Sequence, residues 1–280
     1  MKLSELYSLF VDTLSKSGFA EAESDSRLIF EYIAGIDRVK LTLDRDMELE
    51  PDVEEKLKEA LDKRLTHMPV QYITGYQNFM GLEFKVTEDV LIPRMDTETL
   101  VEEVLRLGLS NVRVLDLCTG SGCILLSILK YVYGSSGVGV DISDGALRVA
   151  GANSEALGID ATFIKSDMFE SIPRDERFDI IVSNPPYIKS NVIETLMSEV
   201  KDYEPMSALD GSADGLRFYR IIADRAPEFL NKGGMLFVEI GYDQGEEVSA
   251  LITEAGFTDV QVIKDLSGLD RVVSGRIGLI

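Results

Sequence analysis

The four residues Asn184-Pro185-Pro186-Tyr187 directly follow an apolar run, residues 178–183, that predicts a buried strand. Two prolines fix φ and lack N–H donors, and a residue before proline favours extended backbone. The loop is therefore stiff and presents carbonyl oxygens, one amide and one aromatic ring. Asn184 and Pro185 could each accept an N–H from a planar NH2 group that stacks on Tyr187. We expect all four residues to bind the substrate, and Asn184, Pro185 and Tyr187 to be catalytic.

A second loop, Asp116-Leu117-Cys118-Thr119-Gly120-Ser121-Gly122, follows a predicted strand and opens a predicted helix. Glycines in such a loop let a ligand approach the backbone closely. The spacing is not the dinucleotide-binding fingerprint, because Leu125 stands where the third glycine would be. The residues of this loop that we expect to bind a cofactor are Cys118, Thr119, Gly120, Ser121 and Gly122.

Acidic residues also lie at or just beyond the ends of the next two predicted strands. Asp141 lies 19 residues after Gly122, where a carboxylate can accept hydrogen bonds from both hydroxyls of a ribose. Asp167 could accept a hydrogen bond from an adenine amino group, and Met168 could pack on the base. The alternative for this pair is a helix N-cap and a core side chain. Together with Asn184 at the same sheet edge, these residues complete the predicted cofactor site.

The elements that would position these loops fall into two parts. Residues 1–75 carry three apolar stripes at helical spacing, which predict a small helical bundle. Gly18 and Gly35 are the expected ends of the first two helices, and Pro51 lies near the start of the third. The stripes are Leu3, Leu6, Leu9, Phe10 and Leu14; then Leu28, Ile29, Tyr32 and Ile33; then Val53, Leu57, Ala60, Leu61 and Leu65.

Residues 76–91 predict a short hairpin with its turn at Gly81, linking the bundle to a second domain, residues 92–280. In that domain strands and helices alternate, which is typical of a doubly wound, mostly parallel α/β sheet. Strands are predicted at 112–115, 138–140, 161–164, 180–182 and 235–240, and helices at 97–107, 146–157, 217–230 and 248–255. The last two predicted strands, 260–263 and 271–274, leave no room for a helix and should pair antiparallel.

Composition limits the classes of partner and site. The formal net charge is -21, which offers no basic footprint for a non-specific nucleic-acid binder. Cys118 and Cys123 form no disulfide or zinc pattern, and a single histidine, His67, excludes a multi-histidine metal site. No run of 18 apolar residues and no signal peptide is present. We expect a soluble, cytoplasmic protein without a metal.

The second domain resembles the Class I methyltransferases that use S-adenosylmethionine on a Rossmann-like sheet. The chain as a whole resembles the HemK/PrmC family, which methylates the side-chain amide of a glutamine in peptide chain release factors. This resemblance implies S-adenosyl-L-methionine as cofactor and a release factor as protein substrate. We predict that the helical domain docks the release factor and that the hairpin sets its distance from the active site. The matching segments are residues 69–75, 90–98, 116–122, 184–187, 204–205, 208–209, 214–216 and 239–241.

Two positions depart from the family pattern. Met95 stands where the family usually has proline, which could loosen that segment. Cys118 stands where the first glycine of the loop is usual, so a positive φ there would be costly. We do not expect Cys118 to be a nucleophile, because its motif contains no base and methyl transfer needs no covalent enzyme intermediate.

Two other functions remain open from the residues alone. An adenine-amino methyltransferase acting on DNA or RNA would use the same loop and the same acceptors, but the acid excess weighs against it. A non-catalytic, cofactor-binding partner subunit is the second alternative. Such a subunit would not need to keep the intact loop at Asn184, so the loop weighs against this one.

Overall fold

Residues 1–278 are described by the structure, a computed structural model, and they form two compact units. One unit contains residues 1–76 together with 197–203, and the other contains residues 77–196 and 204–278. The hairpin therefore groups with the second unit, apart from Tyr76.

The helices of the first unit begin and end where the sequence provides local signals. Pro51 occupies the first turn of its helix, where a missing N–H costs nothing, and Gly35 caps the second helix with φ +64°. The helices are α1 (Leu3–Lys16), α2 (Ala22–Ala34), α3 (Arg38–Leu43), α4 (Pro51–Leu65) and α5 (Val70–Thr74).

The predicted apolar stripes form the core of this unit, with two exceptions: Leu9, and Tyr32, which is partly buried and stacks on the Tyr76 ring. Leu3, Leu6, Phe10 and Leu14 are fully buried, as expected for one face of α1. Leu9 was expected on the same stripe, and this is wrong, because its side chain is 44% exposed. Phe10, one position along the helix, points about 100° away from Leu9 and fills the core instead.

A buried arginine ties residues 197–203 to the helices of this unit. The Arg64 guanidinium donates to Asp25 Oδ2 at 2.8 Å, to Glu199 Oε1 at 2.7 Å and to the Met68 carbonyl at 3.2 Å. It also lies 4.2 Å from the centre of the Phe19 ring. A buried charge is tolerated only when its donors are satisfied, so this cluster fixes where residues 197–203 pack.

The second unit alternates strands and helices. Its strands are β1 (Tyr76–Phe79), β2 (Leu82–Lys85), β3 (Arg113–Leu117), β4 (Ser136–Asp141), β5 (Thr162–Lys165), β6 (Phe178–Ser183), β7 (Leu230–Glu239), β8 (Phe257–Lys264) and β9 (Asp270–Ile277). The helices that follow α5 are α6 (Glu98–Arg106), α7 (Cys123–Tyr131), α8 (Asp144–Leu157), α9 (Ser190–Ile193), α10 (Ser198–Lys201), α11 (Met206–Leu209), α12 (Arg217–Phe229) and α13 (Gly245–Glu254). Of these, α10 belongs to the first unit.

Seven strands form one sheet in the order β5-β4-β3-β6-β7-β9-β8. The first five strands of that order are parallel, and β9 pairs antiparallel with both β7 and β8. The predicted mostly parallel sheet with an antiparallel end is therefore confirmed. The strand order reverses between β3 and β6, which in an open α/β sheet is where a ligand crevice forms.

Both faces of the sheet are covered by helices, because successive strand residues point to opposite sides. Leu115 and Ile181 pack with Ile222 of α12 and Ile252 of α13 on one face. The next residues along the strands contribute to the other face, where Val114, Ile180 and Val182 pack with Leu100, Ile124 and Leu125 of α6 and α7. Among residues 1–278, no helix is long and apolar enough to cross a membrane.

The structure departs from the sequence prediction around β7 and before α12. The strand predicted at 235–240 begins earlier than expected, because α12 ends at Phe229 and β7 already begins at Leu230, which pairs with Phe178. The three four-residue helices α9, α10 and α11 were not predicted, because they are too short to show helical periodicity.

Candidate active site

A cavity of about 330 Å³ opens in the second unit where the parallel strands end. Nine residues that the sequence analysis named line it: Cys118, Thr119, Gly120, Ser121, Asp141, Asp167, Met168, Asn184 and Pro186. Three named residues, Gly122, Pro185 and Tyr187, are not among the lining residues. The structure thus brings four strand-end loops together around one space.

Sheet register explains why these loops meet. Leu117 of β3 pairs with Val140 of β4 and with Ser183 of β6, and Ser183 pairs with Val238 of β7. These four residues form one row across the sheet. The residues that come next along each strand are Asp141, Cys118, Asn184 and Glu239, and they lie side by side at the carboxyl edge.

Asp141 is anchored by backbone donors on both of its carboxylate oxygens. Oδ2 accepts from the Gly120 N–H and Oδ1 accepts from the Ser143 N–H, both at 2.9 Å. Burial raises the pKa of Asp141, although these N–H groups act in the opposite direction. Each carboxylate oxygen can accept a further hydrogen bond, so Asp141 both holds the glycine loop and presents acceptors to the cavity.

Asp116 is a buried acid that the sequence analysis did not single out. Its Oδ2 accepts from the Thr119 hydroxyl at 2.6 Å, and the Thr119 N–H donates to the Val140 carbonyl at 2.9 Å. Burial raises the pKa of Asp116 to about 7, and the nearby charge of Asp141 adds to this rise. Asp116 therefore fixes the position of Thr119 in the glycine loop. Its place at the start of that loop is the sequence feature from which this role could have been predicted.

Cys118 adopts the left-handed backbone region with φ +59°, the costly case anticipated above. Its sulfur lies 3.7 Å from the sulfur of Met168. Burial raises the pKa of the Cys118 thiol, with a further rise from Asp141, so the side chain is a neutral thiol. A neutral thiol is a weak nucleophile, consistent with a packing role.

Gly122 does not line the cavity, but its backbone conformation allows the loop to turn into α7. Its φ is +80°, and a Cβ at this position would lie 3.2 Å from Leu126 and 3.3 Å from Ala150. A side chain would therefore strain the backbone and press against α7 and α8, which explains a glycine at the N-terminus of α7.

The loop at residues 184–187 is braced from several sides. The Asn184 amide Nδ2 donates to the Thr97 hydroxyl oxygen at 3.4 Å, and Gln244 Nε2 donates to the Tyr187 carbonyl at 3.2 Å. A Cβ on Gly211 would lie 2.7 Å from the Tyr187 backbone, so close approach there requires glycine. These contacts fix the backbone on which Asn184 faces the cavity.

Glu239 lies beneath this loop and is 1% exposed. Its Oε1 accepts from the Tyr187 hydroxyl at 3.2 Å. Burial raises the pKa of Glu239 to about 7, while the Thr97 hydroxyl, Arg271 and the Tyr187 hydroxyl oppose the rise. Glu239 belongs to a segment that matches the family, residues 239–241, but no sequence signal predicts a role for its side chain.

The segment at residues 92–97 closes one side of the cavity. The Arg94 guanidinium donates to Glu204 Oε2 at 2.5 Å, and the Ile92 N–H donates to Glu204 Oε1 at 3.2 Å. Met95, which departs from the family pattern, is 74% exposed, so its side chain does not fill the core. Within the described part of the chain, no group of three or more His, Cys, Asp or Glu side chains could hold a metal ion.

Comparisons with known proteins agree along nearly the whole chain. The family described as the PrmC N-terminal domain matches residues 5–75, and the methyltransferase small domain family matches residues 94–201. The chain is 44% identical over 265 residues to the release factor glutamine methyltransferase of Geobacter sulfurreducens, covering 95% of this chain and 93% of that protein. It is 43% identical to the protein of that name from Clostridium acetobutylicum, covering 89% of each.

Among solved structures, a methyltransferase from Pyrococcus furiosus matches with a TM-score of 0.52 at 16% identity. The match covers 71% of this chain and 90% of that one. At this identity the likeness supports the fold alone.

The positive φ at position 118 yields a stability prediction. We expect Cys118→Gly to be more stable than Cys118→Ala by about 1 kcal/mol. Left-handed backbone costs a residue with a Cβ about 1–2 kcal/mol, and glycine avoids this cost. The greater flexibility of glycine in the unfolded chain offsets part of the gain. Both variants lose the sulfur, so its packing cancels. Equilibrium urea unfolding measures the difference. A glycine variant no more stable than the alanine variant would contradict the strained backbone.

Proposed function

The chain belongs to the release factor glutamine methyltransferase family, and from this premise we propose how its residues carry out the reaction. The enzyme transfers the methyl group of S-adenosylmethionine to the side-chain amide nitrogen of a glutamine in a peptide chain release factor, a modification of the translation termination machinery. The roles of individual residues below are our proposal.

The residues that line the cavity fit this cofactor in their chemistry. Asp141 presents carboxylate acceptors for the ribose hydroxyls, and the loop from Cys118 to Gly122 allows the ligand to approach the backbone. Asp167 and Met168 line the same space, where we assign them to the adenine amino group and the base. The cofactor supplies the methyl group on a positively charged sulfur, which makes that carbon a strong electrophile.

The contact between Asn184 and Thr97 is the observation that supports the mechanism. Asn184 lines the cavity and its Nδ2 donates to Thr97 at 3.4 Å, so we assign Oδ1 to face the cavity. An amide nitrogen is a poor nucleophile, because its lone pair is delocalised into its carbonyl. We assign Oδ1 of Asn184 and the Pro185 carbonyl to accept the two N–H groups of the target glutamine. Tyr187 stacks on the amide plane, and Pro186 shapes the wall beside it.

Positive charge develops on the glutamine nitrogen as it bonds to the methyl carbon and as the bond from that carbon to sulfur breaks. The acceptors therefore bind more strongly in the transition state than in the ground state, which lowers the barrier. In-line placement of the two reactants can contribute roughly 7–11 kcal/mol in favourable cases. The nitrogen then loses one proton to water, and S-adenosyl-L-homocysteine remains as the product.

We also propose that the helical unit docks the release factor and that the hairpin sets its distance from the active site. Val39 and Leu43 on α3 are 61% and 76% exposed, and their four-residue spacing places them on one helix face. An exposed apolar pair of this kind suits contact with a protein surface. The acid excess of the chain gives no support to nucleic acid as a partner, and we infer that the enzyme acts in the cytoplasm, where release factors work.

Replacing Asn184 tests the mechanism. We expect Asn184→Ala to lower turnover at least about a hundredfold, since removing one transition-state hydrogen bond in a closed site has effects of this size. The affinity for S-adenosylhomocysteine should stay within about threefold. Mass spectrometry of the release factor measures turnover, and calorimetry measures affinity. Asn191→Ala, an exposed asparagine in α9, is the matched control. Near-normal turnover in Asn184→Ala would refute the assignment.

Replacing Asp141 tests the cofactor site. Asp141→Asn should weaken S-adenosylhomocysteine binding about tenfold to a hundredfold, because hydrogen bonds to a charged acceptor are worth about 1.5–3 kcal/mol each. The exposed Asp144→Asn variant, at the start of α8, should bind as the wild type does. Isothermal calorimetry measures both. Equal affinity in Asp141→Asn and the wild type would exclude a role for this carboxylate in binding the ribose.

The docking proposal is tested through KM for two substrates. The double variant Val39→Ser, Leu43→Ser should raise KM for intact release factor about tenfold, since losing an apolar anchor commonly costs more than 1 kcal/mol. KM for a short peptide that contains only the target glutamine should not change. Leu109→Ser, an exposed leucine of the second unit, is the control. An unchanged KM for intact release factor would contradict docking on this face of α3.

A further inference from the structure

We propose that Glu239 is a positioning residue for methyl transfer: by accepting hydrogen bonds only, its carboxylate fixes the direction in which the amide of Asn184 faces and holds the ring of Tyr187. The inference rests on the proposed function and deepens it, since it concerns the same site. Glu239 is not among the residues that line the cavity, so it acts through Thr97 and Tyr187 and not on the substrate.

Sheet geometry places Glu239 next to the substrate loop. Ser183 of β6 and Val238 of β7 are paired in register, and Asn184 and Glu239 are the residues that follow them. On its other side, Glu239 pairs with Val272 of β9, so the backbone at this position is held by two neighbours.

Two hydroxyl groups meet the carboxylate. The Tyr187 hydroxyl donates to Oε1 at 3.2 Å, which ties the far end of the tyrosine ring to the sheet. The Thr97 hydroxyl lies close enough to lower the pKa of the same carboxyl. Oε2 is buried and has no hydrogen-bond partner of normal geometry among the described residues, so it can accept a bond from Thr97.

Above pH 7, where the tests below are made, the Glu239 carboxyl is mainly ionised and has no proton to donate, so every hydrogen bond to it runs toward it. In the proposed arrangement the Thr97 hydroxyl turns its proton to the free Oε2 of Glu239, which leaves the lone pairs of Thr97 Oγ1 for a donor on the other side. That donor is Nδ2 of Asn184, at 3.4 Å. With the nitrogen of Asn184 fixed on Thr97, its oxygen is turned to the cavity, where a glutamine N–H needs an acceptor.

Fold stability does not explain a carboxylate here. Burial raises the pKa of Glu239, which means that the ionised carboxylate is a cost to the folded state even when its hydrogen bonds are made. The positive charge of Arg271, which forms an ion pair with Asp265 at 3.1 Å, favours the ionised form without removing this cost. An apolar residue would avoid this cost, but it would leave the direction of the Thr97 hydroxyl unset.

The test uses the isosteric variant Glu239→Gln in the full chain. A carboxamide can donate to Thr97 and reverse the chain of hydrogen bonds, which turns the nitrogen of Asn184 toward the cavity. We expect kcat for intact release factor to fall about tenfold to a hundredfold. KM and the affinity for S-adenosylhomocysteine should stay within about threefold. The melting temperature should not fall below that of the wild type. Glu247→Gln, an exposed glutamate of α13, should match the wild type.

Thr97 provides a second measurement that remains informative if Glu239→Gln folds poorly. Thr97→Val removes the hydroxyl at constant shape and should lose as much kcat as Glu239→Gln, whereas Thr97→Ser keeps the hydroxyl and should retain activity. The double variant Glu239→Gln, Thr97→Val should lose little more than either single variant, because both changes break one chain of bonds.

The outcomes separate the inference from the proposed function. A wild-type enzyme that transfers no methyl group to the release factor would refute the proposed function itself. If the wild type is active, either of two results would overturn only the role of Glu239. One is a Glu239→Gln variant with kcat within twofold of the wild type. The other is strictly additive losses in the double variant, which would show that Thr97 and Glu239 act independently.

Discussion

The parallel register of β4, β3, β6 and β7 is the constraint on which the site depends. Because Val140, Leu117, Ser183 and Val238 form one row, the residues that follow them reach the carboxyl edge together. A shift of one residue in any strand would turn its side chains to the opposite face of the sheet and misplace the loop that follows. The two apolar faces, packed against helices, exclude such a shift. The site is thus a consequence of the packing that holds the sheet.

The site carries costs that the surrounding fold offsets. Asp116 and Glu239 are buried acids whose pKa values rise to about 7, and Cys118 has left-handed backbone. Such features persist where the surrounding structure determines them and are common at functional sites. Here each has an identifiable neighbour: Thr119 for Asp116, Met168 for Cys118, and Tyr187 for Glu239.

Much of the fold and of the cavity could be predicted from sequence, because the signals are local. Each strand is a short apolar run. Asp141 and Asn184 follow such runs directly, and Cys118 and Asp167 follow within three residues. The order of the strands in the sheet depends on distant segments and could not be predicted from local signals. These residues could still be assigned to one site, because ligands bind at the carboxyl ends of parallel strands whatever the strand order. The antiparallel final strands were predictable from the short connection between them.

The parts that could not be predicted depend on contacts between distant segments. Asn184 bonds to Thr97, which lies 87 positions away in the chain, and Tyr187 bonds to Glu239, which lies 52 positions away. The packing of residues 197–203 with the helices of the first unit depends on Arg64, which bonds to Glu199. Arg64 lies in a charged stretch of α4, so the sequence did not indicate that this arginine is buried. Leu9 is the opposite case to Arg64, because this apolar residue was expected in the core and its side chain faces solvent.

A crystal structure of the enzyme with S-adenosylhomocysteine and a release factor would test how Asn184 and Pro185 hold the target amide. We expect Asn184 Oδ1 and the Pro185 carbonyl each to lie within about 3.2 Å of the target glutamine nitrogen. The Asn184 nitrogen would remain on Thr97, and the glutamine nitrogen would point along the axis toward the cofactor sulfur. A glutamine nitrogen beyond hydrogen-bond reach of Asn184, or an Asn184 whose nitrogen faces the substrate, would contradict this assignment.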